Sequence, residues 1–360
     1  MAPSKKFAKD LNAEILNQHA IAADAEIATV RTELAAIKSK YKSALVLLDR
    51  EKKRADAIAS LKNITGKGHT KRRKLIKTKA TMVLLLSDWH VEERVDPATV
   101  NGLNNFSLSV AEKRIDELLE RFMVCLDHER QMAEIGRVVI WLGGDFISGH
   151  IHEDTAELAE LAPLAAIRWA GERLRNVIDE IAEEADEVLI CTNAGNHGRS
   201  NFGRPRIGTE LEHSYEQHLY LTMAQAETLP NVRWQVGTSH LTYLDIQGFN
   251  IRFHHGHAIK CSGAIGGIHT GVQKANLAWN QTKPADLTCF GHYHQFSWLR
   301  AGKYVSNGSL IGHSAYATKI KAQYEPPCQG AFVVDHGRHE VTKAFPIFCD
   351  RDLQERHKKK

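Results

Sequence analysis

The chain has 360 residues, room for one large domain with an appendage or for two domains, and its 43% hydrophobic and 25% charged residues are those of an ordinary globular protein. The longest apolar run, residues 82–86, is far short of the roughly 20 residues a membrane helix needs, so no membrane partner is expected. Residues 1–10 are basic and polar with no apolar core behind them, which argues against a signal peptide and for a cytoplasmic location; the net charge is only +4.

Residues 4–65 hold neither Pro nor Gly. Apolar residues recur at 3-4 spacing through Ala13, Leu16, Ala20, Ala23, Ile27, Val30, Leu34, Ile37, Tyr41, Ala44 and Leu48, and more weakly through Glu51, Ala55 and Ile58. This heptad seam, with charge on the other faces, predicts a helix of about 50 residues and about 75 Å. Such a stripe is not satisfied alone in water. It pairs as a coiled coil with a second copy through residues 13–58, making a homodimer, or it folds back as a hairpin or onto the globular body. Residues 1–64 form this helical segment. Residues 65–80 break the pattern with Gly66, Gly68 and a cluster of Lys67, Lys71, Arg72, Arg73, Lys74, Lys77 and Lys79, and read as a basic linker. Its charge suits a solvated connector or a phosphate backbone.

From 81 to 350 the texture is α/β. Strands are predicted at 81–87, 137–142, 187–192, 232–236, 240–246, 251–254, 286–290, 303–306, 331–335 and 339–343. Helices are predicted at 110–130, at 154–185 with Pro163 opening a second helix, and at 210–228; residues 247–250 and 335–337 read as turns. Strands and helices in this order suggest stacked sheets covered by helices. A basic tail, 351–360, ends in Lys358, Lys359 and Lys360. Six cysteines are scattered with no CxxC pair and read as reduced, buried residues rather than zinc ligands.

The 20 histidines matter for where they fall. Five apolar runs are each followed by a polar cluster: Asp88-Trp89-His90, Gly143-Gly144-Asp145, Gly195-Asn196-His197-Gly198, His255-Gly256-His257 and Gly291-His292-Tyr293-His294. Each cluster falls at the C-terminal end of a predicted strand, the edge where α/β sheets bind ligands, so clusters far apart in sequence can converge. The donors are Asp, His and Asn without cysteine, which suits Mn, Fe, Zn, Co or Ni. His292 and His294, at i and i+2, can reach two neighbouring ions, and Asp145 can bridge them. Ions about 3.5–4 Å apart would clamp the attacking and leaving oxygens of a phosphoryl displacement. Singly these motifs are common; all five in this order are not.

The pattern DxH…GD…GNH…HG(H)…GHxH resembles that of the calcineurin-like metallophosphoesterases, over residues 81 to about 350. The resemblance implies a four-layer α/β sandwich, two mixed β-sheets packed face to face and flanked by helices, here preceded by the long N-terminal helix. It also implies a hydrolase with two divalent metal ions, manganese by preference. Asp88, His90, Asp145 and His294 would hold one ion; Asp145, Asn196, His255 and His292 would hold the other. His197 matches the histidine that protonates the leaving group or stabilises charge near it. His254 and His257 remain alternates for His255. The 305–309 stretch resembles the family's pocket-floor turn, with Asn307 either structural or in contact with substrate.

Protein phosphatases of this superfamily carry GDxVDRG and GNHE, whereas this chain has Gly144-Asp145-Phe146-Ile147-Ser148-Gly149 and Gly195-Asn196-His197-Gly198. The arginine that would grip a phosphate dianion is absent, which argues against phosphoproteins. His150 and His152 either contact substrate or belong to the start of the helix near Asp154, and His257 is a further candidate contact. Arg199, Arg204 and Arg206 lie in a loop that suits a nucleic-acid backbone or solvent. The texture is similar to the nuclease branch, including repair exonucleases and phage-encoded relatives, which implies a phosphodiesterase acting on DNA. A phosphatase or phosphodiesterase for a free or cyclic nucleotide is the alternative, and an inactive metal-binding scaffold the third.

Overall fold

The Pro- and Gly-free N-terminal stretch forms one helix, α1 (Lys5–Leu61). The computed structural model describes residues 5–61, 76–201, 207–260 and 267–353, and the chain divides into two compact units, Met1–Lys74 and Leu75–Lys360. Taken by itself, the 57-residue α1 is about 85 Å long. Its seam residues Leu16, Val30, Leu34, Ile37 and Tyr41 are all exposed. Lys67 to Lys74 of the basic linker, Arg204, Arg206, Cys261 and the terminal lysines lie outside the described residues.

In chain order the second unit contains β1 (Thr78–Leu86), α2 (Leu108–Met132), β2 (Ala133–Leu142), α3 (Glu153–Leu158), α4 (Pro163–Glu184), β3 (Glu187–Thr192), α5 (Tyr215–Gln225), β4 (Val232–Gln235), β5 (Thr242–Ile246), β6 (Phe249–Phe253), α6 (Gly267–Trp279), β7 (Leu287–Phe290), β8 (Ser297–Leu299), β9 (Tyr304–Ser306), α7 (Ala315–Lys319), β10 (Cys328–Asp335) and β11 (Glu340–Phe348). A six-stranded sheet runs β11-β10-β1-β2-β3-β4 and a five-stranded sheet runs β5-β6-β7-β9-β8. Both are mixed: β1 to β4 are parallel and β10 is antiparallel to β1, while β6, β7 and β9 are parallel and β5 and β8 antiparallel at the edges.

The period of two along a strand sorts the core into layers. Met82, Leu84 and Leu86 of β1, with Val138, Ile140 and Leu142 of β2, pack with Ile115, Leu118 and Phe122 of α2 and with Leu174, Ile178 and Ile181 of α4. The intervening Val83, Leu85, Val139 and Trp141 pack instead with Leu244, Ile251, Phe253 and Cys289 of the second sheet. On the far side of that sheet, Phe290 and Tyr304 pack with Val272 and Trp279 of α6. The result is helices, sheet, sheet, helix: the four-layer α/β architecture expected.

The elements differ from the sequence reading in places. Helix α5 starts at Tyr215, not 210, because Ser214 caps it, its hydroxyl accepting from Gln217 N at 3.1 Å. The β5–β6 turn is tighter than the four residues expected, with Gln247 at φ 53° and Gly248 at φ 86°. Helices α6 and α7 and strand β8 were not foreseen. The five described cysteines are unpaired, and four of them are buried. Among the described residues no helix is long and apolar enough to cross a membrane.

Candidate metal centre

Strands β1, β2, β3, β6 and β7 bring their C-terminal ends to one rim, and the loops leaving them stay laced together. Asp88 N donates to Gly144 O at 2.9 Å, His90 N to Asp145 O at 3.1 Å, and Gly291 N to His255 O at 2.7 Å. The glycines set the loop spacing. A Cβ on Gly195 would lie 2.1 Å from Asp145 Oδ1, and one on Gly291 would lie 2.3 Å from Asp88 Oδ2.

This lacing gathers the predicted ligands into two groups. Asp88, His90 and His294 form one; Asp145, His255 and His292 form the other; within each, one donor atom per residue lies within 4.8 Å of the rest. The imidazole rings of His90 and His294 are 5.1 Å apart and those of His255 and His292 5.2 Å apart. Asp88, His90, Asp145, His292 and His294 all have φ between 50° and 67°. Left-handed backbone is uncommon for residues with a Cβ, and its concentration on five predicted ligands marks a functional constraint.

The donors fit a pair of cations. His90 Nδ1 is 2.8 Å from the Ser148 hydroxyl, which itself donates to Glu93 Oε2 at 2.6 Å. The hydroxyl therefore accepts from Nδ1–H, and His90 Nε2 is left as a bare lone pair. His255 Nδ1 lies 2.8 Å from Gly143 O, a pure acceptor, so its Nε2 is likewise turned inward. Such anchoring of the distal nitrogen is how metal-binding histidines are oriented. His90 Nε2, Asn196 Oδ1 and His255 Nε2 are all buried with no hydrogen-bond partner, although His255 Nε2 lies only 2.8 Å from Asp145 Oδ2. Buried polar atoms normally find partners, so the unpartnered Nε2 of His90 and Oδ1 of Asn196, turned toward the same rim as the His255–Asp145 and His294–Asp88 ion pairs, fit a cation site.

The electrostatics agree. Burial, reinforced by neighbouring imidazoles, holds His90 and His292 well below the usual histidine range, so both are neutral, as ligation requires. Burial works to raise the Asp145 carboxyl, but His255 and His197 outweigh it and hold it well below the carboxylate range. Conversely, Asp145 overcomes burial to raise His255, and Asp88 does the same for His294. A bound cation would replace those protons.

His197 stands at the rim. Its backbone N–H donates to Asp145 Oδ1 at 2.8 Å and its Nδ1 to Ser148 O at 2.9 Å, leaving Nε2 to the site. Its ring is 4.9 Å from that of His90. His152 N-caps α3, and its ring is 6.4 Å from that of His197. His150 Nε2 is buried without a hydrogen-bond partner. Arg199 Nη1 donates to Asn196 O at 2.6 Å. Asn307 is fully buried, giving its Nδ2 to Ser87 Oγ at 2.9 Å and accepting from Gly330 N at 2.7 Å, so its task is structural. His257 belongs to neither ligand group. His254 is fully buried against Trp279, with ring centroids 4.8 Å apart.

Sequence reasoning missed Glu216 on α5. Its carboxyl oxygens accept from Phe146 N and Gly195 N, both at 2.7 Å, tying the Asp145 loop to the Asn196 loop. Burial, then the Asp145 charge, raises it to about 8. No motif announces it, because it lies on a helix remote from every strand end.

No family model matches the chain, and no curated protein sequence is significantly similar to it. Among solved structures, it aligns with an archaeal phosphodiesterase at 12% identity over 74% of this chain and 99% of that one, with a TM-score of 0.32. It aligns with wild-type Vps29 of Entamoeba histolytica in complex with zinc at 13% identity over 74% and 99%, with a TM-score of 0.27. A phosphatase of Mycoplasma pneumoniae aligns at 11% identity over 77% and 97%, with a TM-score of 0.28. At such identities and scores the likeness carries nothing about chemistry.

Proposed function

We propose that the protein is a two-metal phosphoester hydrolase of the calcineurin-like type, and that its substrate is a phosphodiester of DNA. One observation carries the hydrolase reading: unpartnered, inward-facing donors of His90, Asn196 and His255 meet the Asp88, Asp145, His292 and His294 side chains at one rim. Asp88, His90 and His294 would hold one ion, Asn196, His255 and His292 the other, with Asp145 shared. When bound, such a pair supplies water of lowered pKa and neutralises phosphoryl charge.

The chain's own residues do the rest. The anchored Nδ1 atoms of His90 and His255 keep both rings from turning away. Glu216 holds the Asp145 and Asn196 loops in register. Hydrolysis joins a water oxygen to phosphorus and breaks the bond to the leaving oxygen, which needs a proton as it departs. His197 presents Nε2 for this, its ring held in place by Nδ1 donating to the Ser148 carbonyl.

A diester of DNA is favoured over a phosphoprotein because Gly144-Asp145-Phe146-Ile147-Ser148-Gly149 lacks the phosphate-gripping arginine. Arg199 beside Asn196 and the basic 65–80 stretch add to this. The test is incubation of the manganese-loaded full chain with linear, circular, single- and double-stranded DNA, with cyclic nucleotides and with bis-p-nitrophenyl phosphate. DNA cleavage that disappears in Asp145→Asn is expected. Turnover of the small esters with every DNA intact would move the substrate to a nucleotide, and no turnover of any ester would remove the hydrolase reading.

A further inference from the structure

Beside the paired groups lies a third one that the proposed reaction does not use. Glu210, His240 and His257 each bring one donor atom within 4.8 Å of the others. They come from three separate segments: the turn before α5, the loop between β4 and β5, and the loop after β6. His257 Nε2 is 3.0 Å from Glu210 Oε1, and His240 Nδ1 is 3.3 Å from Glu210 Oε2. The side chains are 9% exposed for Glu210 and His257 and 17% for His240.

A carboxylate clamping two imidazoles by hydrogen bonds is the simplest account, and it covers only part of the cluster: His240 Nδ1 is hydrogen-bonded to Glu210 Oε2 at 3.3 Å, while other donors are left over. Glu210 Oε1 and both ring nitrogens of His257 are buried without a hydrogen-bond partner, as is His240 Nε2. His257 Nε2 nonetheless stands 3.0 Å from Glu210 Oε1, within ion-pair reach. His255 Nε2 and Asp145 Oδ2 show the same signature at 2.8 Å in the candidate metal pair. The spacings also suit one ion. Donors each about 2.0–2.2 Å from a tetrahedral zinc stand about 3.3 Å from one another. Two imidazoles and a carboxylate are a zinc donor set, with one position left open.

We infer that Glu210, His240 and His257 bind a third divalent cation, of the zinc class, separate from the proposed pair. The His257 ring is 5.6 Å from that of His255 and 6.3 Å from that of His292, so this ion borders the pair. It pins the turn before α5 to the loop after β6. The site stands on its own residues and does not depend on what the pair hydrolyses.

The test is a metal count on the full chain, stripped with a chelator, reloaded with excess zinc and desalted, alongside cobalt(II) spectra of the same preparations. Wild type is expected to retain three ions, Glu210→Gln and His240→Ala two each, and Asp145→Asn to keep the third while losing ions of the pair. Cobalt in a four-coordinate site absorbs strongly in the visible, and that band is expected in wild type and Asp145→Asn but not in Glu210→Gln or His240→Ala. Wild type holding two ions or fewer, or an unchanged count and spectrum in Glu210→Gln, would overturn the third site. A loss confined to Asp145→Asn would leave the pair standing without it.

Discussion

Gly144→Ala is the sharpest probe of how the two halves of the centre meet. Gly144 has φ +86°, and a Cβ there would lie 2.1 Å from Gly195 N, 2.5 Å from Gly195 Cα and 2.7 Å from Ala194 C. These are backbone atoms, so no rotamer change relieves the overlap. Restoring ordinary contact at 3.4 Å requires one loop to recede by about 1.3 Å. Asp145 adjoins one side of that contact and Asn196 the other. Metal–ligand distances tolerate only about 0.2 Å, and a displacement of about 1 Å near reacting groups costs on the order of 100-fold in rate. The left-handed conformation adds about 1–2 kcal/mol of strain for alanine. The expected result is a loss of at least about 100-fold in manganese-supported hydrolysis of bis-p-nitrophenyl phosphate, with weakened metal retention and an unchanged far-ultraviolet circular dichroism spectrum. Gly208→Ala is the control, since a Cβ there meets nothing within 4 Å. Wild-type turnover and metal retention in Gly144→Ala would refute the idea that the Asp145 and Asn196 loops must touch to build the site.

Three further outcomes follow from the same geometry. His197→Ala should lower turnover by about 10²- to 10⁴-fold while leaving metal content unchanged, because on the proposed reading the residue protonates without ligating; loss of metal together with activity would place it among the ligands. Glu216→Gln should destabilise the fold by about 1–3 kcal/mol, since an amide can accept from only one of Phe146 N and Gly195 N, and denaturant unfolding measures this. In metal-free protein it should also flatten the pH dependence: Glu216 rises from 4.5 to about 8 on folding, so its contribution is full below about 4.5 and lost as pH climbs through 8; an unchanged slope between those limits would contradict that. Pairing of α1 with a second copy is our proposal for its exposed seam. Leu34→Glu with Ile37→Glu should convert a dimer to a monomer in light scattering, and a monomeric wild type would dismiss the pairing.

What the sequence made legible was the part written in strong periodicity. Strands β1, β2 and β3 are buried apolar runs, and each ends in a polar cluster, so both the sheet and the edge that gathers those clusters could be placed. Helix α6 escaped because glycines crowd its start and its buried face is narrow, with Val272 and Asn276 its only buried residues. Strand β8, of three part-buried residues, has too little pattern to see. The candidate ligands were legible because each follows a strand. Glu216, Glu210 and His240 were not, because what makes them matter is contact across the fold: a helix meeting two loops, or three loops meeting one another. The start of α5 shows the same limit. The hydroxyl of Ser214 sets it, and the earlier start expected at 210 hid Glu210 inside a helix.

The most direct test of the central claim is anomalous diffraction from crystals of the full chain grown with manganese. Two peaks about 3.5–4 Å apart are predicted, one bounded by Asp88, His90 and His294, the other by Asn196, His255 and His292, with Asp145 between them. A single peak, or none, among these side chains would contradict the account.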